Sequence, residues 1–394
     1  MSTFGDPEHS AVSMASLLHL FTAGSLLLTA FLLFTRPGNS NRVANRWMAV
    51  FLFILCLIFM DETLTILELN QELPGINDVL GVCILAVGPA YYLSVYAYTH
   101  PQPNGLRASL LHFLPFLLFL AIALVLMLLS EEQLNALKQQ LRKTNTALIG
   151  AVIIILNISQ LIAYCFFSLH LINRHQRTIA LFASSPDSVD LSWLKYLVYC
   201  VFFMVVVWVF ILIFPKIDPY TTVFYFASVY YVAYYALNQP DVFPFSEADK
   251  TAIAEVIEEV NSPLPAEDEP RKALLTPAEL QEAKARLIAS MVVDKLYLDN
   301  ELTLPKLAEV TQLSIHKLSF LLNSDLGLNF YQFVNGYRIE EAKRLLTDPK
   351  MGHLSIEGIA YEAGFNSKTV FNTSFRKATG QSPSGYRSQW LALA

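Results

Sequence analysis

A chain of 394 residues that is 54% hydrophobic and only 15% charged lies outside the usual composition of soluble globular proteins, and its mean hydropathy of +0.43 points the same way. The net charge is −6 and residues 276–394 are nearly balanced, which leaves no broad basic field to hold nucleic acid regardless of sequence. The apolar excess lies ahead of Asn238, so the two parts of the chain need separate readings.

Seven runs of about 20 apolar residues, each enough to cross about 30 Å of hydrocarbon, fill the first part. They are Met14 to Phe34, Trp47 to Leu67, Val79 to Tyr98, Leu110 to Leu129, Leu148 to Ile172, Trp193 to Phe214 and Tyr220 to Leu237. Met1 to Ser13 carries Asp6 and Glu8 but no Lys or Arg, so the first run is expected to remain as a span rather than leave as a signal. Arg36, Arg42 and Arg46 in the first loop, Arg107 in the third, and Arg174 and Arg177 in the fifth place those loops in the cytoplasm, with the amino terminus outside. Lys138, Arg142 and Lys143 run against this rule, offset in part by Glu131 and Glu132. Seven crossings from an external start leave the carboxyl terminus in the cytoplasm.

Polar groups in these runs are expensive in lipid. Asp61, Glu62, Asn157, Gln160 and Tyr231 are candidates for lining a pocket that takes an amphipathic small molecule; the competing reading is that amides are interhelical glue and tyrosines interfacial anchors. His19, His112, Ser159 and the helix-breaking pair Gly88-Pro89 lie in the same runs. Cys56, Cys83, Cys165 and Cys200 all fall in spans without paired spacing, so no metal, cofactor or disulfide framework is expected. No HExxH, GxSxG or phosphate loop marks a catalytic residue, and no enzyme activity is expected. Two alternatives stay open: a transporter or membrane enzyme with a regulatory tail, and a bundle that is only a passive anchor.

Between 239 and 275 the pattern changes. Ser246 with Asp249 makes a helix start, and Ile253, Val256, Ile257 and Val260 make an apolar stripe. Its other face holds Glu247, Asp249, Glu255, Glu258 and Glu259, which an anionic leaflet would repel, so this helix is expected to pack on protein, such as its own copy in a homodimer. Asn261 to Pro270, with three prolines among acids, reads as a linker. Thr276-Pro277-Ala278-Glu279 then supplies cap, first-turn proline and capping carboxylate for a new helix.

From 276 to 394 the pattern is that of two helix-turn-helix units joined by a long helix. In the first, Thr303 caps a helix with Leu304, Leu307 and Ala308, and Ser314 caps a second with Leu318, Leu321 and Leu322 inward; Ser314, His316, Lys317, Phe320 and Asn323 are left as its reading face. Phe330, Phe333, Val334, Tyr337, Ala342, Leu345 and Leu346 describe the joining helix. In the second unit Ser355 opens a helix that Gly364 ends, and Ser367 caps another whose Phe371, Ser374, Phe375 and Ala378 form one stripe. Opposite that stripe stand Ser367, Lys368, Thr369, Asn372, Thr373, Arg376 and Lys377, the donors and acceptors a major groove can be read with.

Thr276 to Arg387 resembles the AraC-type bacterial transcription factors. The resemblance rests on Ala342-Lys343-Arg344-Leu345-Leu346, Ser355-Ile356, Ile359-Ala360, Gly364-Phe365-Asn366-Ser367, Phe371, Phe375-Arg376-Lys377, Gly380, Ser382-Pro383 and Tyr386-Arg387. Thr373, Gln312 and Phe320 depart from common residues of the family. The resemblance implies double-stranded DNA and RNA polymerase as partners and a bacterial host. With the spans, this gives an all-α protein of the inner membrane: a seven-helix bundle over 1–238, a juxtamembrane stretch over 239–275 and a cytoplasmic reader over 276–394. Lys368, Arg376, Lys377 and Arg387 are expected to carry phosphate contacts, and the bundle to answer to an unknown small-molecule ligand.

Overall fold

The structure is a computed structural model and describes residues 7–36, 41–69, 75–103, 106–141, 146–186, 189–214, 218–261 and 275–391. Among them there is no β-strand; one isolated antiparallel bridge joins Ala183 to Thr303. Two compact units emerge, one of residues 1–173 with 191–242, the other of residues 174–190 with 243–394. The second unit therefore claims a segment that lies, in sequence, between two apolar helices. Of the Pro-rich linker only Asn261 is described, as the last residue of a helix; the rest falls outside the described residues.

The first unit contains helices α1 Pro7–Thr35, α2 Arg42–Ile66, α3 Ile76–Gly81, α4 Ile84–Thr99, α5 Leu106–Leu111, α6 Leu114–Met127, α7 Glu131–Leu141, most of α8 Thr146–Thr178, α9 Ser192–Ile213 and α10 Asp218–Asn238. Its packing centres on α1, α2, α4 and α10, where Leu26, Met48, Ala90 and Ala236 are fully buried. Phe21, Phe31, Leu118, Leu156 and Phe166 lie open, more apolar surface than a water-facing body carries. Among the described residues five stretches are long and apolar enough to cross a membrane: Leu17–Thr35, Arg42–Ile66, Ile76–Thr99, Leu148–Leu181 and Ser192–Ile211. The other two of the seven runs differ for physical reasons. Leu110 to Leu129 is broken at His112 and Phe113, where the backbone makes tighter three-residue bonds before Pro115 starts α6; α6 alone rises about 21 Å. Tyr220 to Leu237 is helical as α10, but its tyrosines dilute its hydropathy.

Pro89 sits inside α4 without ending it. Having no N–H, it releases the carbonyl of Leu85 four residues earlier, and Gln160 Nε2 on α8 donates to that oxygen at 3.3 Å. Gly88 matters for its lack of bulk, since a Cβ there would come within 2.7 Å of the Tyr164 ring; glycine lets α8 approach α4.

The second unit adds α11 Glu247–Asn261, α12 Pro277–Val292, α13 Leu304–Thr311, α14 Ile315–Phe320 with a wider turn over Leu321–Asp325, α15 Phe330–Thr347, α16 Ile356–Glu362, α17 Lys368–Thr379 and α18 Pro383–Leu391. Local chemistry sets the ends. Thr276 with Glu279 and Asn329 with Gln332 form reciprocal capping boxes, and Ser314, Ser355 and Ser367 accept from the third backbone N–H after them. Gly380 closes α17 at φ 77°. Thr303 stands at the start of α13 but makes no side-chain cap; its backbone is bridged to Ala183 instead.

Candidate nucleic-acid interface

The second helix-turn-helix is built on aromatic packing. Phe371 and Phe375 are fully buried on the inner side of α17, with Phe365 against Phe371 at 5.1 Å and Tyr386 of α18 edge-on to Phe375 at 5.4 Å. Ile339, Ala342, Leu345 and Leu346 of α15 and Ile359, Ala360 and Ala363 around α16 complete this core. Of the expected inward stripe, Ser374 is half-buried with its hydroxyl 2.9 Å from Tyr331 Oη, and Ala378 is exposed because α17 has already cleared the core.

Lys368, Thr369, Thr373, Arg376 and Lys377 are exposed on the opposite side of α17, and Ser367 and Asn372 are half-buried beside them. Lys368 has Glu357 at 3.8 Å, a solvent-exposed pair of little energetic weight. The seven residues expected to read DNA in this unit thus share one accessible face of one rigid helix. Arg387 is elsewhere: its guanidinium donates to the carbonyls of Leu354 and Gly352, each at 2.8 Å, and so ties α18 to the turn before α16. It is engaged in holding the turn rather than presented to phosphate.

The first helix-turn-helix is arranged differently. Leu318, Leu321 and Leu322 are buried as expected. Ser314 and Asn323 are exposed, with Asn323 Nδ2 donating to Ser319 Oγ at 3.1 Å, and Phe320 is half-buried. His316 Nε2 lies 2.9 Å from Glu255 Oε2 of α11, and Lys317 Nζ lies 3.6 Å from Glu279 Oε1. The Glu279 carboxyl is held below its usual range by hydrogen bonds from Thr276 and by the Lys317 ammonium. The acidic helix, expected on a partner, packs on α14 of its own chain.

A residue that the periodic patterns pass over ties this unit together. Arg338 of α15 is fully buried. It donates from Nε to Tyr297 O at 2.7 Å, from Nη2 to Asp299 O at 2.7 Å and Ser184 Oγ at 3.1 Å, and from Nη1 to Asn335 Oδ1 at 3.2 Å and Ser184 O at 3.3 Å. Phe365 lies beneath it, 5.8 Å from ring centre to guanidinium. Burial pushes its pKa down to about 10, which still leaves it charged at neutral pH. Ser184 comes from the 174–190 segment, which adds further bonds: Leu304 N–H to Phe182 O at 3.0 Å, Ser184 Oγ to Leu302 O at 2.7 Å and Ser185 Oγ to Asn300 O at 3.1 Å. Phe182 is buried against Phe243. Arg338 stands in four-residue steps from Phe330 and Val334 towards Ala342, and a cation on an apolar stripe is the signal that marks it.

The residues expected to line one ligand pocket fall in separate places of the first unit. Glu62 borders a cavity of about 160 Å³ with Leu26, Phe51, Trp208 and Tyr225, and His19 Nε2 lies 3.1 Å from its carboxylate. Asn157 and Gln160 border another of about 530 Å³ with His112 and Tyr164. Asp61 borders neither, and one of its carboxylate oxygens is buried without a hydrogen-bond partner; Tyr231 lies tilted against Tyr235, ring centres 4.7 Å apart. Among the described residues no group of His, Cys, Asp and Glu side chains is arranged to hold a metal ion.

Residues 307–389 match the family model described as a helix-turn-helix domain. An uncharacterized HTH-type transcriptional regulator of Escherichia coli, YijO, is 34% identical over 98 residues, 25% of this chain and 33% of that protein. The arabinose operon regulatory protein of Salmonella typhimurium is 31% identical over 90 residues, 23% of this chain and 31% of its own length. The uncharacterized HTH-type transcriptional regulator YtdP of Bacillus subtilis is 30% identical over 91 residues, 23% of this chain and 11% of that protein. The matched stretch thus spans a third or less of each relative. No solved structure matches the chain.

Proposed function

We propose that this chain is a membrane-integrated, ligand-responsive transcription regulator whose carboxyl-terminal part is an AraC-type DNA reader. The observation that carries the DNA half is the free polar face of α17 on a locked aromatic core, within a stretch that matches a helix-turn-helix domain. RNA polymerase is the partner that a regulator of this type must engage.

The chain's own contacts support seven crossings, with the amino terminus outside and the reader in the cytoplasm. Arg36 and Asn41, in the turn between α1 and α2, bond backbone carbonyls of Ala236 and Pro240 at the end of α10. Tyr98 near the end of α4 bonds Asn45 near the start of α2. These ends therefore lie together. Residues 174–190 and 243–394 share one body, which favours a chain that leaves through α9 and returns through α10. The same parity favours a crossing by the α5–α6 stretch before α8 brings the chain back. A ligand among the polar groups of the bundle, around Glu62 or Asn157, would favour one helix arrangement. The 174–190 segment, continuous with α8 and α9 and built into the reader, then passes that preference on.

The test is DNA occupancy of the full-length protein across its host genome, compared with the Lys368→Ala, Arg376→Ala, Lys377→Ala triple variant, with and without lipid-soluble extract of the host culture. A recurrent motif that vanishes in the triple variant and shifts in occupancy with extract supports the whole reading. A motif unaffected by the triple variant refutes the α17 interface; a motif indifferent to extract refutes ligand response.

A further inference from the structure

We infer that α11 is a built-in cover for the reading helix of the first unit, and that this acidic helix and DNA compete for α14. The inference rests on the reading of α14 as a DNA-contacting helix. Of the apolar stripe of α11, Ile253 and Val256 are 1% and 3% exposed and Ile257 is half-buried, whereas Val260 at the end of the helix stays exposed; the helix packs on α14. Glu255 reaches His316 at 2.9 Å, and Glu279 at the head of α12 holds Lys317 at 3.6 Å. Both basic side chains of the first reading face therefore have carboxylates where a duplex would offer phosphate oxygens. On the second reading face Arg376 and Lys377 are exposed and carry no ion pair among the described residues.

Space decides the matter. A helix with its side chains is about 10–12 Å across, and the major groove it must enter is about 12 Å wide. α14 with α11 docked beside it presents the width of two helices, so the first unit cannot seat while the cover is in place. Docked, the protein reads DNA with α17 alone; released, it reads with both units, whose half-sites lie about 10 base pairs apart on one face. α11 begins nine positions after α10 ends, which puts the cover close in sequence to the last apolar helix.

The experiment selects binding sites from a random-sequence duplex pool with full-length protein in lipid nanodiscs, for the parent, an Ile253→Asp/Val256→Asp double variant and the milder Glu255→Gln. The parent is expected to select one half-site, and the double variant two half-sites about one helical turn apart. The double variant should bind such a two-site duplex at least tenfold more tightly, with a salt dependence steeper by about one unit for each added phosphate contact. Glu255→Gln should move in the same direction by a few-fold, which covers the case in which the double variant does not fold. Identical motifs and affinities for parent and Glu255→Gln, with the double variant either the same or unfolded, would overturn the cover. A parent that already selects two half-sites would overturn it too. If no variant selects any motif, the DNA reading itself fails and the cover falls with it, a result distinct from the others.

Discussion

Replacing Arg338 with Met removes the centre of the reader's polar core. Tyr297 O loses the one donor it has there, whereas Asp299 O keeps Leu302 N–H at 3.2 Å and Ser184 O keeps Asn335 Nδ2 at 3.2 Å. One orphaned buried carbonyl costs about 1–3 kcal/mol, and each of the other charge-assisted bonds contributes about 1.5–3 kcal/mol before the guanidinium's desolvation is set against them. Net destabilisation of about 3 kcal/mol follows, out of the roughly 5–15 kcal/mol that holds a domain together. For a unit of this size that is about 6–12 °C in melting temperature. Lys should cost nearly as much, because a single ammonium cannot fork to Tyr297 O and Asp299 O together. Ser184→Ala, more than 150 positions away in sequence, should lower the melting of the same unit by about 2–4 °C through the lost bonds to Leu302 O and Arg338. Temperature-stepped proteolysis of the full-length protein, followed through a carboxyl-terminal tag, reads both effects. A Ser184→Ala chain whose reader resists protease as the parent does, or an Arg338→Met chain that melts within a degree of it, would refute the reasoning.

Three further outcomes are expected. Gly364→Ala should destabilise the reader by about 3 kcal/mol or more, since the residue has φ +90° and a Cβ there would lie 2.9 Å from Leu298 Cα, crowding backbone that cannot move aside; the same proteolysis measures it. Gln160→Leu should lower thermal stability in detergent by about 0.5–2 kcal/mol, because Leu85 O loses the donor that Pro89 obliges it to find, and adding Pro89→Ala should restore most of the loss. Burial raises the Asp299 carboxyl, but the hydrogen bonds from Lys306 and Glu301 N–H outweigh it and hold the group below its usual value. A carboxylate depressed in the folded state stabilises above its unfolded pKa of about 4 and loses that contribution as pH falls through the folded value. Asp299→Asn should therefore weaken the reader at neutral pH, with the difference from the parent shrinking below about pH 4 in denaturant titrations.

The helices of the second reading unit were legible because the features that bound them are local: caps three residues from their targets, glycine at the left-handed positions, and two Phe rings one turn apart on α17. The helical class followed from periodicity in the same way. Contacts between distant positions were not legible. Nothing near residue 184 announces a partner at 338, and the 174–190 segment reads as an ordinary loop until its carbonyls are seen under the guanidinium. Gln160 and Arg387 show the same limit from the other side: polar residues in suggestive places, each engaged with a backbone carbonyl far along the chain. The apolar stripe of α11 was visible, but a stripe alone does not say which surface will cover it.

Ser184 is synthesised 154 residues ahead of Arg338, roughly 8–30 s at common ribosomal speeds. Through that interval Ser184 Oγ and its carbonyl await the guanidinium of α15, while α9 and α10 are made. In a chain that cannot bring residues 174–190 to its second compact unit, that unit closes with the Arg338 guanidinium deprived of Ser184. Under the seven crossings proposed above, a copy with α8 and α9 threaded the wrong way would leave this site open, so its last-made domain would register the error.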